Sequence, residues 1–254
     1  DRLLRETKGG TLIDAVNNIA RNANSPFEQL VATNVSKLMQ RMVDVGYKFE
    51  YDIQELNFNE IKNGTRGLTS FPKNDSIRVL IARTKDPLAL HNGLTNKTLL
   101  HEAIHAVTAP LIQAGKSRSL TLPEGTKLKK DVGDLITLFN GVVGYFNGRM
   151  DAVREGRLGA EELLQVERDI YMRNKNTLWN SDEMLAWALT DREVQEFMDT
   201  VPYDMRTGDV DTEGRGTITL WEALVNALRK LLNLPPKDNT ALNELLRVQN
   251  NLLA

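Results

Sequence analysis

Apolar positions recur at helical spacing through residues 11–45. Leu12, Ile13, Val16 and Ile19 form one set, and Leu30, Val31, Val35, Leu38, Met39 and Met42 a second. Ser25-Pro26 lies between them, a capping residue followed by proline at a first helical position, so two helices are expected. The period then changes to two. Tyr47, Phe49, Tyr51 and Ile53 alternate with Lys48, Glu50 and Asp52, the pattern of a half-buried strand. Asn63-Gly64 and Arg66-Gly67 mark turns. Leu68 to Phe71 reads as a short strand, and Ser76 to Ala82, with Ile77, Val79 and Ile81 on one face, as a stronger one.

Beyond these strands the helical period returns. Thr98 to Val107 reads as helix, and Leu135, Ile136, Leu138, Phe139, Val142 and Phe146 give a second over 131–150. The stretch 115–130 carries Lys116, Arg118, Lys127, Lys129 and Lys130 against the single acid Glu124 and reads as a solvated loop. A charged amphipathic helix is expected over 159–173. Two short helices are expected over 181–199, with Thr190 and Glu193 at capping-box spacing for the second. Residues 206–216 read as a hairpin tip. Asp209, Asp211, Glu213 and Gly214 there hint at a calcium loop, but its twelfth position is Leu220 where a bidentate Glu is needed. Trp221 to Leu232 reads as an amphipathic helix capped near Thr219 and ended by Leu234-Pro235-Pro236. Strands grouped in one segment and helices elsewhere predict an α+β fold, mainly helical, with its small sheet just before the 98–107 helix. Three regions are expected: a helical segment 1–45, a central domain 46–236 and a helical tail 237–254.

Composition narrows the chemistry. The 254 residues include 41% hydrophobic and 26% charged residues, as in ordinary globular proteins. A net charge of −2 gives no reason to expect nucleic acid as a partner. No apolar run reaches the ~18 residues of a membrane span. Cysteine is absent, so neither disulfides nor thiolate metal sites are available, and a zinc ion must use His, Asp or Glu. The first residue is Asp1 rather than Met, which fits a processed chain or a piece of a longer polypeptide.

The chemistry concentrates at His101-Glu102-Ala103-Ile104-His105, which holds two of the chain's three histidines. Residues four apart on a helix share a face, so both imidazoles can aim a nitrogen at one metal ion. Glu102 sits about 100° round the helix from His101, beside the metal, where a carboxylate can accept a proton from an activated water. Catalytic zinc usually takes three protein ligands. A third histidine six residues beyond His105 would be a further ligand, but that position is Leu111. His91, in His91-Asn92-Gly93, is a candidate ligand or supporting group, and otherwise an ordinary loop residue. A carboxylate from a later helix fits better. Glu183 leads, in the first turn of a helix whose Leu185, Ala186, Ala188 and Leu189 would pack on the core. Asp182 and Glu193 stand behind it. Asn180 and Glu183 also have capping-box spacing, so Glu183 has a purely local role open to it.

The run Leu100-His101-Glu102-x-x-His105-Ala106, followed much later by the helix start Asp182-Glu183-x-x-Ala186, resembles gluzincin-type zinc metallopeptidases. More narrowly it is similar to metallopeptidase-like domains embedded in very large bacteriophage and mobile-element proteins. Asp182-Glu183-Met184-Leu185-Ala186-Trp187-Ala188-Leu189 stands at their Asp-Glu-Phe-x-Ala-Glu-Ala-Leu-like segment. Leu220-Trp221-Glu222 through Leu231-Leu232-Asn233-Leu234-Pro235 stands at their Leu-Trp to Leu-Pro helix. The resemblance covers residues 45–236. It implies a zincin-like fold, zinc as cofactor and Glu183 as third ligand. It also implies a module of a larger virion protein, carried in the particle or delivered into the host cytoplasm, with other domains of that polypeptide as neighbours. Thermolysin-like gluzincins place an acid four residues after the third ligand, where this chain has Trp187.

The expected activity is hydrolysis of a protein or peptide, with His101, His105 and Glu183 on zinc and Glu102 as general base. The strand at 76–82 is expected, from the resemblance, to offer its edge to an extended substrate. An oxyanion donor is still required, with Tyr171, Tyr203 and His91 as candidates. The rival expectation is a catalytically silent assembly module that keeps the fold. A zinc hydrolase acting on something other than a peptide is a third.

Overall fold

The computed structural model describes residues 10–55, 67–73, 76–83, 95–116, 123–172, 175–204, 209–210 and 218–231. It is α+β and mainly helical. Its contacts divide the chain into two compact units, Asp1–Pro110 and Leu111–Ala254.

In the first unit, helices α1 (Leu12–Asn22) and α2 (Pro26–Asp44) pack on each other. Each begins where the sequence offers a cap. Thr11 and Asp14 bond reciprocally, the Thr11 hydroxyl accepting from the Asp14 amide at 3.2 Å and the Asp14 carboxylate from the Thr11 amide at 3.0 Å. The Ser25 hydroxyl accepts from the Glu28 amide at 3.3 Å, with Pro26 at the first position of α2. The expected apolar stripes face inward: Leu12, Val16 and Ile19 on α1, and Val31, Val35, Met39 and Met42 on α2. Gly46, at φ +105°, turns the chain out of α2, and its amide and that of Tyr47 close on Val43 and Met42 carbonyls.

The sheet follows: β1 (Lys48–Glu55), β2 (Gly67–Lys73) and β3 (Ser76–Arg83), in the order β1-β3-β2. β1 and β3 are parallel, Lys48 opposite Ser76 and Ile53 opposite Ile81. β2 is antiparallel to β3, Thr69 opposite Val79, with a register shift between Ser70 and Lys73. Ile77, Val79 and Ile81 are buried as their alternation requires. The expectation that strand 76–82 would offer an edge is overturned. β3 is the central strand, and its neighbours on both sides already take up its backbone groups.

Helix α3 (Asn96–Lys116) comes next and continues well past Val107, through Pro110. Its start is held by Thr95, whose hydroxyl accepts from the Thr98 amide at 3.0 Å.

The second unit is built on α4 (Pro123–Arg154), whose Val132, Leu135, Leu138, Val142, Phe146 and Met150 form one buried stripe. The stretch read as a basic loop over 115–130 is therefore helical at both ends, α3 finishing at Lys116 and α4 running from Pro123. The Lys127 ammonium explains part of this. It bonds the buried Asp131 carboxylate one turn on at 2.6 Å and the Lys230 carbonyl at 3.0 Å, so the charges are partnered.

The single helix expected over 159–173 is a 3₁₀ turn at Ala160–Glu162 and a short α5 (Gln165–Tyr171). Leu163 and Leu164 between them are extended. Side chains take the backbone groups that a continuous helix would have used. The Glu167 carboxylate accepts from the Leu164 amide at 2.8 Å, and Arg168 donates to the Leu163 carbonyl at 2.7 Å.

Helices α6 (Ser181–Thr190) and α7 (Arg192–Asp199) are divided where expected. The cap of α7 is Asp191 rather than Thr190. The Asp191 carboxylate accepts from the Val194 amide at 3.2 Å, whereas the Thr190 hydroxyl donates back to the Ala186 carbonyl at 2.6 Å. Three short strands, β4 (Pro202–Asp204), β5 (Asp209–Val210) and β6 (Ile218–Thr219), pair in the order β5-β4-β6. The tip between β4 and β5, Asp211 and Glu213 lie outside the described residues. Helix α8 (Leu220–Leu231) is capped as expected by Thr219, whose hydroxyl accepts from the Glu222 amide at 3.2 Å while Glu222 returns the bond at 3.0 Å. Leu220, Leu224 and Val225 of α8 are buried, and the helix packs on α4. The expected tail at 237–254 lies outside the described residues.

Candidate metal centre

The motif spans the second and third turns of α3, and burial explains its orientation. Leu99, Leu100, Ala103, Ile104, Ala106 and Val107 are all at most 1% exposed. With these apolar positions turned inward, His101 and His105 share the remaining stripe. Their rings meet edge to face, centroids 4.8 Å apart and planes at 78°, and their Nε2 atoms lie 3.2 Å apart.

Glu102 is 8% exposed, far more buried than a glutamate usually is. β2 contributes its surroundings. The Thr69 hydroxyl lies 2.7 Å from Glu102 Oε2 and 2.9 Å from the Glu102 carbonyl oxygen. A hydroxyl has one proton to give, and the charged, nearer carboxylate is the stronger acceptor. Two residues earlier on the same face of β2 is Gly67. A Cβ there would come within 2.5 Å of Glu102 Cγ and 2.7 Å of its Oε1. Only a residue without a side chain leaves the Glu102 carboxylate its place.

Glu183 lies in the first turn of α6. Met184, Leu185, Ala186 and Ala188 are fully buried, which fixes that helix as the sequence implies. Its start is capped by Asn180, whose amide oxygen accepts from both the Asp182 and Glu183 backbone amides at 2.9 Å. That cap is made by the Asn180 side chain and does not call on the Glu183 carboxylate. Among the described residues, His101, His105 and Glu183 form a group able to hold a metal ion, one donor atom from each lying within 4.8 Å of the others.

Among the described residues, the other candidates are not members of that group. Glu193 takes a 2.5 Å ion pair with Lys175, which also reaches Asp191 at 3.3 Å. Asp182 is in the first turn of α6 but outside the metal-binding group. Tyr171 is exposed, with the Arg154 guanidinium 5.7 Å from its ring centre, and Tyr203 is buried on β4. His91 lies outside the described residues. At the position where thermolysin-like gluzincins carry an acid, the Trp187 indole donates to the Asn176 amide oxygen at 2.6 Å.

Gly67 and Thr69 were not among the residues singled out from sequence. Arg66-Gly67 reads as a turn, yet Gly67 is the first residue of β2. A glycine inside a strand pattern is a mark of close approach by another group, and that was the available signal. In comparisons with known proteins, no family model, curated protein or solved structure matches the chain.

Proposed function

We propose that the chain is a zinc-dependent peptidase in which His101, His105 and Glu183 hold the metal and Glu102 is the proton acceptor. The observation that carries this reading is the 3.2 Å between the two Nε2 atoms, with a buried carboxylate on the next residue. Zn–N bonds of about 2.0–2.1 Å at a tetrahedral angle set two nitrogens about 3.3 Å apart. The imidazole pair therefore already has the spacing that two zinc ligands need. A donor set of two nitrogens and one carboxylate oxygen, with no thiolate in the chain, suits zinc in a site that keeps a further position open.

When bound, zinc would supply a Lewis acid that polarises the peptide carbonyl and acidifies water. The protein's own part falls to Glu102. It takes the proton that the attacking water loses and delivers it to the amine nitrogen as the C–N bond breaks. The gluzincin likeness, and with it a place inside a larger virion protein, belongs to the same proposal. The rival, a silent assembly module, gives no proton-transfer role to Glu102. Burying a carboxylate is costly unless its interactions or its chemistry repay it.

Metal analysis of the purified chain tests the reading. About one zinc per chain is expected, lost in His105→Ala and weakened in Glu183→Ala. Glu102→Gln should keep the zinc and abolish cleavage of denatured casein. A chain that takes up no zinc, or a Glu102→Gln variant that still cleaves, overturns it.

A further inference from the structure

We propose that β2 is a clamp for the Glu102 carboxylate, with Thr69 as a positioning residue and Gly67 as the space that lets the carboxylate reach it. The inference rests on the reading of Glu102 as proton acceptor and goes beyond it by naming what aims that acceptor.

Three observations combine. Thr69 meets both the carboxylate and the backbone carbonyl of the same residue, at 2.7 and 2.9 Å, so it registers the strand against one turn of the helix. Gly67, on the same face of β2, would strike Glu102 Cγ, Cδ and Oε1 if it carried a Cβ. Thr69 stands opposite Val79 of the central strand, and Val79 is fully buried, so the clamp is mounted on the sheet's core.

The physical need is clear. A glutamate has three side-chain torsions, and its rotamer freedom must be removed before it can transfer a proton reliably. Productive geometry tolerates about 0.5 Å of error. Threonine is suited to the task because branching at Cβ stiffens its χ1. Of the roughly four lone-pair positions on a carboxylate, the hydroxyl takes one. The clamp thereby orients Glu102 through its Oε2 atom.

The test uses the full chain in two states. In metal-free protein, urea unfolding is followed for Gly67→Ala and Thr69→Val, each made with Glu102 present and again with Glu102→Ala. Both changes are expected to lower the midpoint when Glu102 is present and to lose more than half of that effect when its carboxylate is gone. Equal effects in the two backgrounds overturn the clamp. In zinc-loaded protein, Thr69→Val should lower kcat on labelled denatured casein by about 10–100-fold, the range for residues that support a metal site. KM and zinc content should be unchanged, and Thr69→Ser should restore most of the rate. A Thr69→Val enzyme with normal kcat also overturns it. If the parent chain binds zinc but cleaves nothing, the peptidase reading fails, and the unfolding comparison still decides the clamp.

Discussion

Arg149→Met should destabilise the second unit by about 3–5 kcal/mol, the cost of breaking a buried ion pair from one side. The structure sets the size of the effect. The Glu167 side chain is 1% exposed and that of Arg149 26%. The guanidinium grips the carboxylate through both Nε and Nη2, the second at 3.2 Å, and Nη2 also reaches the Glu162 carbonyl at 3.2 Å. The hydrogen bond that Arg149 donates to Glu167 is the main reason the Arg149 pKa is raised further above its already high ordinary value. Methionine keeps the aliphatic bulk but leaves the carboxylate buried, with the Leu164 amide at 2.8 Å still donating to it.

The reverse change, Glu167→Gln, should cost less, because it keeps an acceptor for that amide and leaves the charge on the more exposed partner. Removing both, as Arg149→Met with Glu167→Leu, should cost clearly less than Arg149→Met and Glu167→Leu made singly and summed, since neither side is left with a stranded charge. Urea denaturation followed by circular dichroism gives all four values, provided the slope with denaturant is unchanged. A loss below about 1 kcal/mol for Arg149→Met, or strict additivity in the double variant, would refute the view that this pair is a desolvated bridge between α4 and α5.

Two further outcomes concern pH and capping. Burial raises the Glu28 carboxyl above its ordinary 4.5, with Lys97 opposing. A raised acid contributes its full stability below the unfolded pKa and loses it as pH rises through the folded one. Glu28→Gln should therefore raise the urea midpoint at neutral pH and lose that advantage in acid, and a pH-independent difference would contradict the assignment. Asp14 is shifted the other way, held low chiefly by the Thr11 amide and then by its hydroxyl. Its contribution is present above 3.8 and fades as pH falls through the lower folded value. Thr11→Ala should cost about 1 kcal/mol at neutral pH and less in strong acid, measurable in the same titration.

Much of the fold could be read in the chain because its local signals agree. Ser25-Pro26, the Thr219–Glu222 box and the period-two run at Tyr47–Ile53 each specify one structure, and each is found. The reading failed where side chains outbid the backbone pattern or where pairing order mattered. Residues 159–173 carry a helical period, but Glu167 and Arg168 draw the Leu163 and Leu164 backbone out of it. Nothing in the sequence of Ser76–Ala82 says that it has neighbours on both sides, because strand order is decided by partners elsewhere in the chain. At the site, spacing alone brought His101 and His105 together, since four residues on a helix fix a geometry. Thr69 is 33 residues from Glu102, and no local rule connects them.

The strand order β1-β3-β2 also has a kinetic meaning. Rungs between β2 and β3 join residues as near as Lys73 and Ser76 and no farther than Gly67 and Ile81. Every rung between β1 and β3 spans the same longer interval, from Lys48–Ser76 to Glu55–Arg83. Loop-closure entropy grows with that interval, so the β2–β3 hairpin has the smaller cost to overcome and β1 the larger. The strand that carries Gly67 and Thr69 thus belongs to the quickly closing half of the sheet. Substitutions in β1 should then act on a later and slower step than substitutions in the hairpin.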